Sequence, residues 1–198
     1  RIAVLACGAA LAACANGAPP KVPDHVALFT SLPVMWRETT DIRDLLASDA
    51  KPHWALDALG GPKRVRALDT LAGNDGKLEV ASGTLLVMAQ PRPLSPQENV
   101  ALDEWVRGGG HVLLFADPML TADSAYAIGD RRRPEDVAML SPILRRWGLD
   151  LQFDEDQPAG EHLVAMPGGA LPVNLPGSFA LRCGASGCTL GDAGIWAR

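Results

Sequence analysis

Polar side chains stand at the ends of two apolar runs and in the loop after a third. Asp117 closes the run "HVLLFAD", and Gln90 closes the run "TLLVMAQ". The segment "MWRE" follows the first apolar run and supplies Trp36, Arg37 and Glu38. Parallel strands place their carboxyl ends at one edge of a sheet, where open α/β sheets bind ligands. These five residues are therefore candidate ligand-binding residues, and their chemistry suits a small polar ligand.

The same residues also have an ordinary structural interpretation. Asp before Pro is common in turns, and a tryptophan such as Trp36 more often packs against neighbours than stacks on a ligand. The sequence contains no G-x-S-x-G elbow and no H-x-x-x-H metal pair. We therefore assign no catalytic residue, no metal and no cofactor. The alternative is a divergent hydrolase or amidotransferase-like enzyme that uses Asp117 and Glu38 as its acid and base.

A run of three glycines, 108–110, precedes one of the predicted strands. Phosphate-binding loops have the order strand, glycines, helix, because the phosphate accepts hydrogen bonds from a helix N-terminus. The order here is helix, glycines, strand, and the negative end of the helix dipole faces the glycines. A net charge of -5, with 18 Lys and Arg, also lacks the basic footprint of a nucleic-acid partner. The glycines therefore indicate a turn.

Local signals predict a strand, helix, strand unit over residues 84–117. Ser95 and Glu98 form the S-x-x-E capping box of the helix, and Gly108 is expected to end it in the left-handed conformation. On the helix surface, Asp103 and Arg107 have the spacing of an ion pair. The final run, "HVLLFAD", is continuous and apolar, which predicts a buried strand.

Weaker patterns predict the remaining elements. In chain order they are a strand within 25–33, a helix after Thr40, a short helix from Pro52, a strand over 65–71, a loop over 118–133, a helix over 134–147 interrupted at Pro142 and recapped by Ser141, and an edge strand over 149–156. Short apolar runs predict antiparallel strands in 158–198. Alternating strands and helices favour an α/β fold with a mostly parallel central sheet and a β-rich C-terminal extension.

The first residues have the pattern of an exported lipoprotein. Arg1 is followed by the twelve apolar residues "IAVLACGAALAA" and by Cys14, which is too short for a membrane span but suits a signal-peptide core. "LAAC" resembles the lipobox of bacterial lipoprotein precursors, and "VLAC" at Cys7 is a second candidate. An ordinary secretory signal or a truncated membrane anchor is the alternative. The expected organisation is a signal peptide 1–14, a tether 15–24, an α/β domain 25–157, and an extension 158–198 of that domain.

The other two cysteines, Cys183 and Cys188, enclose the loop "CGASGC". A disulfide between them is predicted, because such bonds persist in an oxidising periplasm. Two free thiols are the alternative. A zinc site is not expected, since zinc requires about four ligands.

The order of motifs from Leu85 to Asp156 resembles a known family. The runs "LLVMAQPRPLSPQENVALDEWVRGGGHVLLFADPML" and "LSPILRRWGLDLQFDED" contain a strand, a helix, Gly-Gly, a strand ending in Asp-Pro, and a helix ending in Gly before an acidic edge strand. This order resembles the extracytoplasmic domain of ABC-transporter auxiliary proteins associated with gliding motility. The opening "LFTSLPVMWRE" is similar to that family's first strand and loop.

The resemblance implies a flavodoxin-like three-layer sandwich, related to class I glutamine amidotransferases but without their catalytic cysteine. It also implies a non-catalytic binding or scaffolding role beside an ABC permease or another envelope protein. Together with the leader, it predicts a protein on the periplasmic side of the bacterial envelope, held at the membrane by a lipid on Cys14. Family members are commonly held by transmembrane helices, and the lipobox departs from that pattern.

Overall fold

The computed structural model describes residues 24–36, 38–39, 41, 43, 53–166, 169–182 and 187–198. Its strands are β1 (Val26–Thr30), β2 (Val65–Ala67), β3 (Leu85–Ala89), β4 (His111–Phe115), β5 (Leu149–Gln152), β6 (His162–Met166), β7 (Gly169–Val173) and β8 (Ser178–Leu181). Its helices are α1 (Trp54–Ala58), α2 (Pro96–Arg107) and α3 (Ser141–Arg146). The signal peptide, the helix after Thr40, Arg37 and Cys183 lie outside the described residues.

The central sheet has four parallel strands in the order β2-β1-β3-β4. Strands β5 and β8 form a separate antiparallel pair, and so do β6 and β7. The prediction of an α/β fold with a parallel central sheet and a β-rich extension is confirmed. Strand β5 lies in the predicted domain 25–157, and its partner β8 lies in the predicted extension 158–198. The extension therefore completes a sheet that begins in the preceding segment.

Successive residues of β1 and β3 point to opposite faces of the central sheet, and each face has its own core. On one face, Phe29 and Met88 pack with Leu102 of α2 and Leu144 of α3. On the other face, Leu28 and Val87 pack with residues of α1 such as Leu56. Each fully buried leucine contributes about 1.5–3 kcal/mol. The continuous apolar runs of β1 and β3 follow from this burial on both faces.

Helix α2 begins as the sequence predicts. The Ser95 hydroxyl accepts a hydrogen bond from the Glu98 N–H at 3.2 Å, and the Glu98 carboxylate accepts one from the Ser95 N–H at 2.8 Å. The expected role of Gly108 is wrong by one residue, because Gly108 has φ of -76° and Gly109 has φ of 95°. The third glycine, Gly110, lies against Trp105, and a Cβ there would stand 2.3 Å from the indole ring.

Strand β4 is an edge strand of the central sheet, and the prediction of a buried strand is wrong. It pairs with β3, and the described residues provide no strand on its other side. Val112 and Leu114 face the core under α2, whereas Leu113 and Phe115 on the opposite face are 42% and 50% exposed. An apolar run indicates residues that avoid water, but it does not show whether other elements cover both faces of the strand.

Two later elements also differ from the sequence prediction. The predicted helix over 134–147 forms only as α3, and Ser141 is its first helical residue rather than a recapping residue, since the N-cap is Leu140. Among the described strands, β5 pairs only with β8 and does not extend the central sheet. Proline at position 142 fits the first turn of a helix, so α3 begins at Ser141.

No helix in the described part of the chain combines the length and the apolar character that a transmembrane span requires.

Candidate functional site

An apolar cleft of about 640 Å³ opens on the face of the central sheet that carries α1. Its floor is formed by Leu28, Val87, Ala89, Leu113 and Phe115. Its walls include Trp54, Ala55 and Leu59 of α1, together with Leu32 and Val34 after β1. Since α1 covers the β1 side of this face, the β3 and β4 side is left as open floor. We call this space the apolar cleft.

The long loop over residues 116–140 closes one end of the apolar cleft. Leu120, Ala122 and Pro134 line the cleft from this loop. Two backbone hydrogen bonds join the beginning of the loop to its end. The Leu120 N–H donates to the Asp136 carbonyl at 2.9 Å, and the Ala138 N–H donates to the Asp117 carbonyl at 3.0 Å. The loop is therefore a fixed wall made without helix or strand.

Gln90 fastens this loop to the end of β3. Its side-chain Nε2 donates to the backbone oxygens of Asp117 at 3.0 Å and Glu135 at 2.8 Å, and its Oε1 accepts from the Asp117 N–H at 2.9 Å. Gln90 is 2% exposed and has φ of 42°, a conformation costly for a side chain of this size. The structure thus places this predicted ligand residue in a structural clamp.

Glu38 lies in the apolar cleft and holds the loop from the other side. Its Oε1 accepts a hydrogen bond from the Ser124 hydroxyl. The backbone carbonyl of the next residue, Thr39, accepts a hydrogen bond from the Tyr126 hydroxyl at 3.1 Å. Tyr126 is buried. The segment after β1 and the long loop therefore meet at the polar end of the cleft.

Arg133 is the central charge of that polar end. Its Nη2 lies 2.9 Å from Asp136 Oδ1, and its Nη1 donates to the Tyr126 carbonyl at 2.9 Å. The hydrogen bond with Asp136 raises the pKa of Arg133, burial opposes this, and the negative charges of Asp136, Glu38 and Asp123 raise it further. Three carboxylates therefore surround one guanidinium at the end of an otherwise apolar space.

Asp117 lies in a second cavity of about 350 Å³, which it shares with Gln90, Asn174 and Gly177. Burial raises the pKa of the Asp117 carboxyl, and a hydrogen bond from the Met119 N–H opposes the rise. Glu38 does not line this cavity, and Asp117 does not line the apolar cleft. The predicted carboxylate pair is therefore divided between two cavities.

The remaining predicted site residues lie apart from both cavities or outside the described residues. Trp36 is 47% exposed and lines neither space. Arg37 is outside the described residues. The Cys188 sulfur lies 3.3 Å from the Trp147 carbonyl oxygen. Because Cys183 is outside the described residues, the disulfide stays a prediction.

The structure adds site residues that the sequence interpretation did not single out. Trp54, Asp123, Ser124, Arg133 and Asp136 line the apolar cleft. The sequence signal for Asp123, Ser124 and Arg133 was the length of the predicted loop over 118–133, since long loops in compact domains are commonly functional, whereas Asp136 fell in the predicted helix over 134–147. Among the described residues, no group of three or more His, Cys, Asp or Glu side chains is arranged to hold a metal ion.

Comparisons with models of protein families, with curated proteins and with solved structures found no match to this chain. The resemblance to transporter auxiliary domains therefore remains a prediction from the sequence motifs.

Proposed function

We propose that this protein is a non-catalytic binding module whose apolar cleft receives an apolar group of a ligand or partner. The observation that carries the proposal is the open floor of the cleft, where Leu113 and Phe115 are about half exposed beside a buried sheet core. Small-molecule sites have volumes of roughly 300–1,000 Å³ and mostly apolar linings with a few polar groups. The volume of about 640 Å³ and the single polar end match that description.

The position of the cleft also supports binding. Ala89 and Phe115 are the last residues of β3 and β4, and both line it. The cleft therefore reaches the carboxyl ends of the strands, where open parallel sheets hold ligands.

The distribution of polar groups supports a non-catalytic role. Acid and base chemistry needs two groups within reach of one substrate, whereas Glu38 and Asp117 line different cavities. Arg133 is paired with Asp136 and donates to the Tyr126 carbonyl, and Gln90 donates to the backbone of the long loop. No observation favours the hydrolase alternative.

The finer fold and the cellular role are proposals of the same kind. A flavodoxin-like three-layer arrangement is supported by the two cores on opposite faces of the sheet. A scaffolding role beside an ABC permease, on the periplasmic side of the envelope, is supported by the motif order from Leu85 to Asp156 and by the lipobox ending at Cys14.

Binding of the uncharged dye N-phenyl-1-naphthylamine tests the cleft. We expect a saturable rise in dye fluorescence with the wild-type protein. Leu113→Gln places an amide on the cleft floor, and loss of about 1.4 kcal/mol of apolar contact weakens binding about tenfold. Leu113 is already 42% exposed, so the variant is expected to fold.

Val100→Gln is the matched control. Val100 lies on α2, is 56% exposed and does not line the cleft, so its replacement should leave dye binding unchanged. Circular dichroism of both variants confirms folding. Equal dye affinity in wild type and Leu113→Gln, or no saturable binding at all, would contradict the proposed function.

A further inference from the structure

Acidic and basic groups are unequal in number in the apolar cleft. Among the described lining residues, Glu38, Asp123 and Asp136 provide three carboxylates, and Arg133 provides one guanidinium. His53 also lines the cleft, but its Nδ1 accepts a hydrogen bond from the first turn of α1 at 3.2 Å. With histidine counted as neutral, the described lining carries two more formal negative than positive charges.

The one guanidinium is already paired within the protein. Arg133 Nε lies 3.3 and 3.2 Å from the two carboxylate oxygens of Asp136, and Nη2 lies 2.9 Å from Asp136 Oδ1. This forked arrangement satisfies both partners. The excess negative charge therefore belongs to Glu38 and Asp123.

Neither of these two carboxylates has a full counter-charge of its own. Glu38 accepts a hydrogen bond from the Ser124 hydroxyl, which is a neutral partner. Asp123 is exposed, and both acids act on Arg133 only through space. A positively charged group that enters the cleft meets an attractive field, whereas an anion meets repulsion.

Trp54 adds a second feature that favours cations. Its side chain lines the cleft and remains 74% exposed, although its ring lies beside the His53 imidazole with the ring centroids 5.4 Å apart. Tryptophan is the side chain that attracts ammonium groups most strongly through its π-electrons. Carboxylates and an open indole in one apolar space together suit an amine that carries an apolar tail.

We propose that the apolar cleft selects a small cationic amphiphile, an alkyl or aryl amine, over neutral and anionic molecules of the same size. This inference rests on the proposed function and names the ligand class of the same site. The cleft volume of about 640 Å³ fits a small molecule.

Three eight-carbon compounds test the selectivity because their head groups are cationic, neutral and anionic. Octylammonium, 1-octanol and octanoate are each titrated into the full chain by isothermal calorimetry at pH 7.4 and low salt. Partly exposed ion pairs contribute about 0.2–1 kcal/mol each, so octylammonium should bind about five to ten times more tightly than octanol. Octanoate should bind more weakly than octanol. Added salt should reduce the advantage of octylammonium and leave octanol binding unchanged.

Neutral isosteric variants identify the groups responsible. Glu38→Gln and Asp123→Asn together should bring the affinity for octylammonium to within about twofold of that for octanol, because the excess charge is removed. Glutamine retains an oxygen that can accept the Ser124 hydrogen bond. Glu104→Gln removes one carboxylate from the exposed surface of α2, outside the cleft, and should not alter the ratio.

The three compounds separate the two proposals. If none of the three compounds binds, both the binding function and the cation selectivity fail. If octanol binds but octylammonium binds no more tightly, or octanoate binds best, the selectivity is overturned while the binding function stands. The salt series uses only wild-type protein, so it decides the question even if a variant does not fold.

Discussion

Glu98 has two structural roles at once. As the third residue of α2 it accepts the hydrogen bond of the capping box, and it also accepts from Arg92 at 2.8 Å and from the Leu71 N–H at 3.0 Å. Burial raises the pKa of Glu98, but these hydrogen bonds outweigh it and lower the pKa to about 2. The side chain therefore ties the loop before β3 to the start of the helix.

Glu98→Gln is expected to lower the free energy of unfolding by about 2 kcal/mol at neutral pH, because the hydrogen bonds from Arg92, Leu71 and Ser95 lose their charged acceptor. An unfolded glutamate has a pKa of about 4.3. A lower pKa in the folded state stabilises the protein above that value, and the effect is lost as pH falls towards about 2. Urea denaturation at a series of pH values should show the two proteins converging below pH 4.

Glu104→Gln, on the exposed side of the same helix, is the control and should change stability by less than about 0.5 kcal/mol. A constant difference between wild type and Glu98→Gln from pH 7 to pH 2 would contradict the assigned pKa.

Glu98 and Gln90 show which side-chain contacts a single sequence can predict. The capping box was predictable because Ser95 and Glu98 are three positions apart and their contact is local. The hydrogen bonds of Glu98 to Leu71 and of Gln90 to Glu135 join residues 27 and 45 positions apart. No local pattern indicates such contacts, so Gln90 was interpreted as a ligand residue when it fastens the backbone.

Asp103 joins two elements, the helices α2 and α3. The predicted pair with Arg107 is present at 2.9 Å, but Asp103 is also buried and accepts from Arg146 at 2.7 Å and from the Trp147 indole N–H at 3.2 Å. Burial raises the pKa of Asp103, and the hydrogen bonds from Arg146 and Arg107 lower it below its usual value. One carboxylate thus fixes the angle between the two helices.

Asp103→Asn is expected to lower the free energy of unfolding by about 2 kcal/mol, since hydrogen bonds to a charged group contribute about 1.5–3 kcal/mol. Arg107→Gln should cost less than about 1 kcal/mol, because the Arg107 side chain is 61% exposed. Urea denaturation followed by tryptophan fluorescence measures both. Similar losses in the two variants would show that Asp103 does not couple the helices.

Strand β4 was predictable from the sequence in its existence and direction but not in its position in the sheet. Its existence and direction followed from the helix before it and from the crossover rule for parallel strands. Its position at the edge depends on the pairing of β5, which joins β8 and leaves the outer side of β4 without a strand in the described part of the chain. The apolar cleft exists because α1 covers only the β1 side of one face of the sheet, so neither the cleft nor its lining was predictable from strand patterns.

The whole molecule is proposed to be attached to a membrane through the Cys14 lipid. We expect cells that express the full precursor to incorporate radioactive palmitate into the wild-type protein and into Cys7→Ser, but not into Cys14→Ser. A labelled Cys14→Ser with an unlabelled Cys7→Ser would move the attachment to Cys7. Absence of label on the wild type would contradict the anchor.

The arrangement of the central sheet also has a consequence for the order of folding. Strand β1 occurs first in the chain but lies inside the sheet, and its residue Thr30 contacts Ala89, which is 59 positions later. Strand β3, helix α2 and strand β4 are contiguous, so their contacts close short loops and form early. The strand synthesised first is therefore expected to find its partners last. Until then its exposed apolar residues need protection from association with other chains.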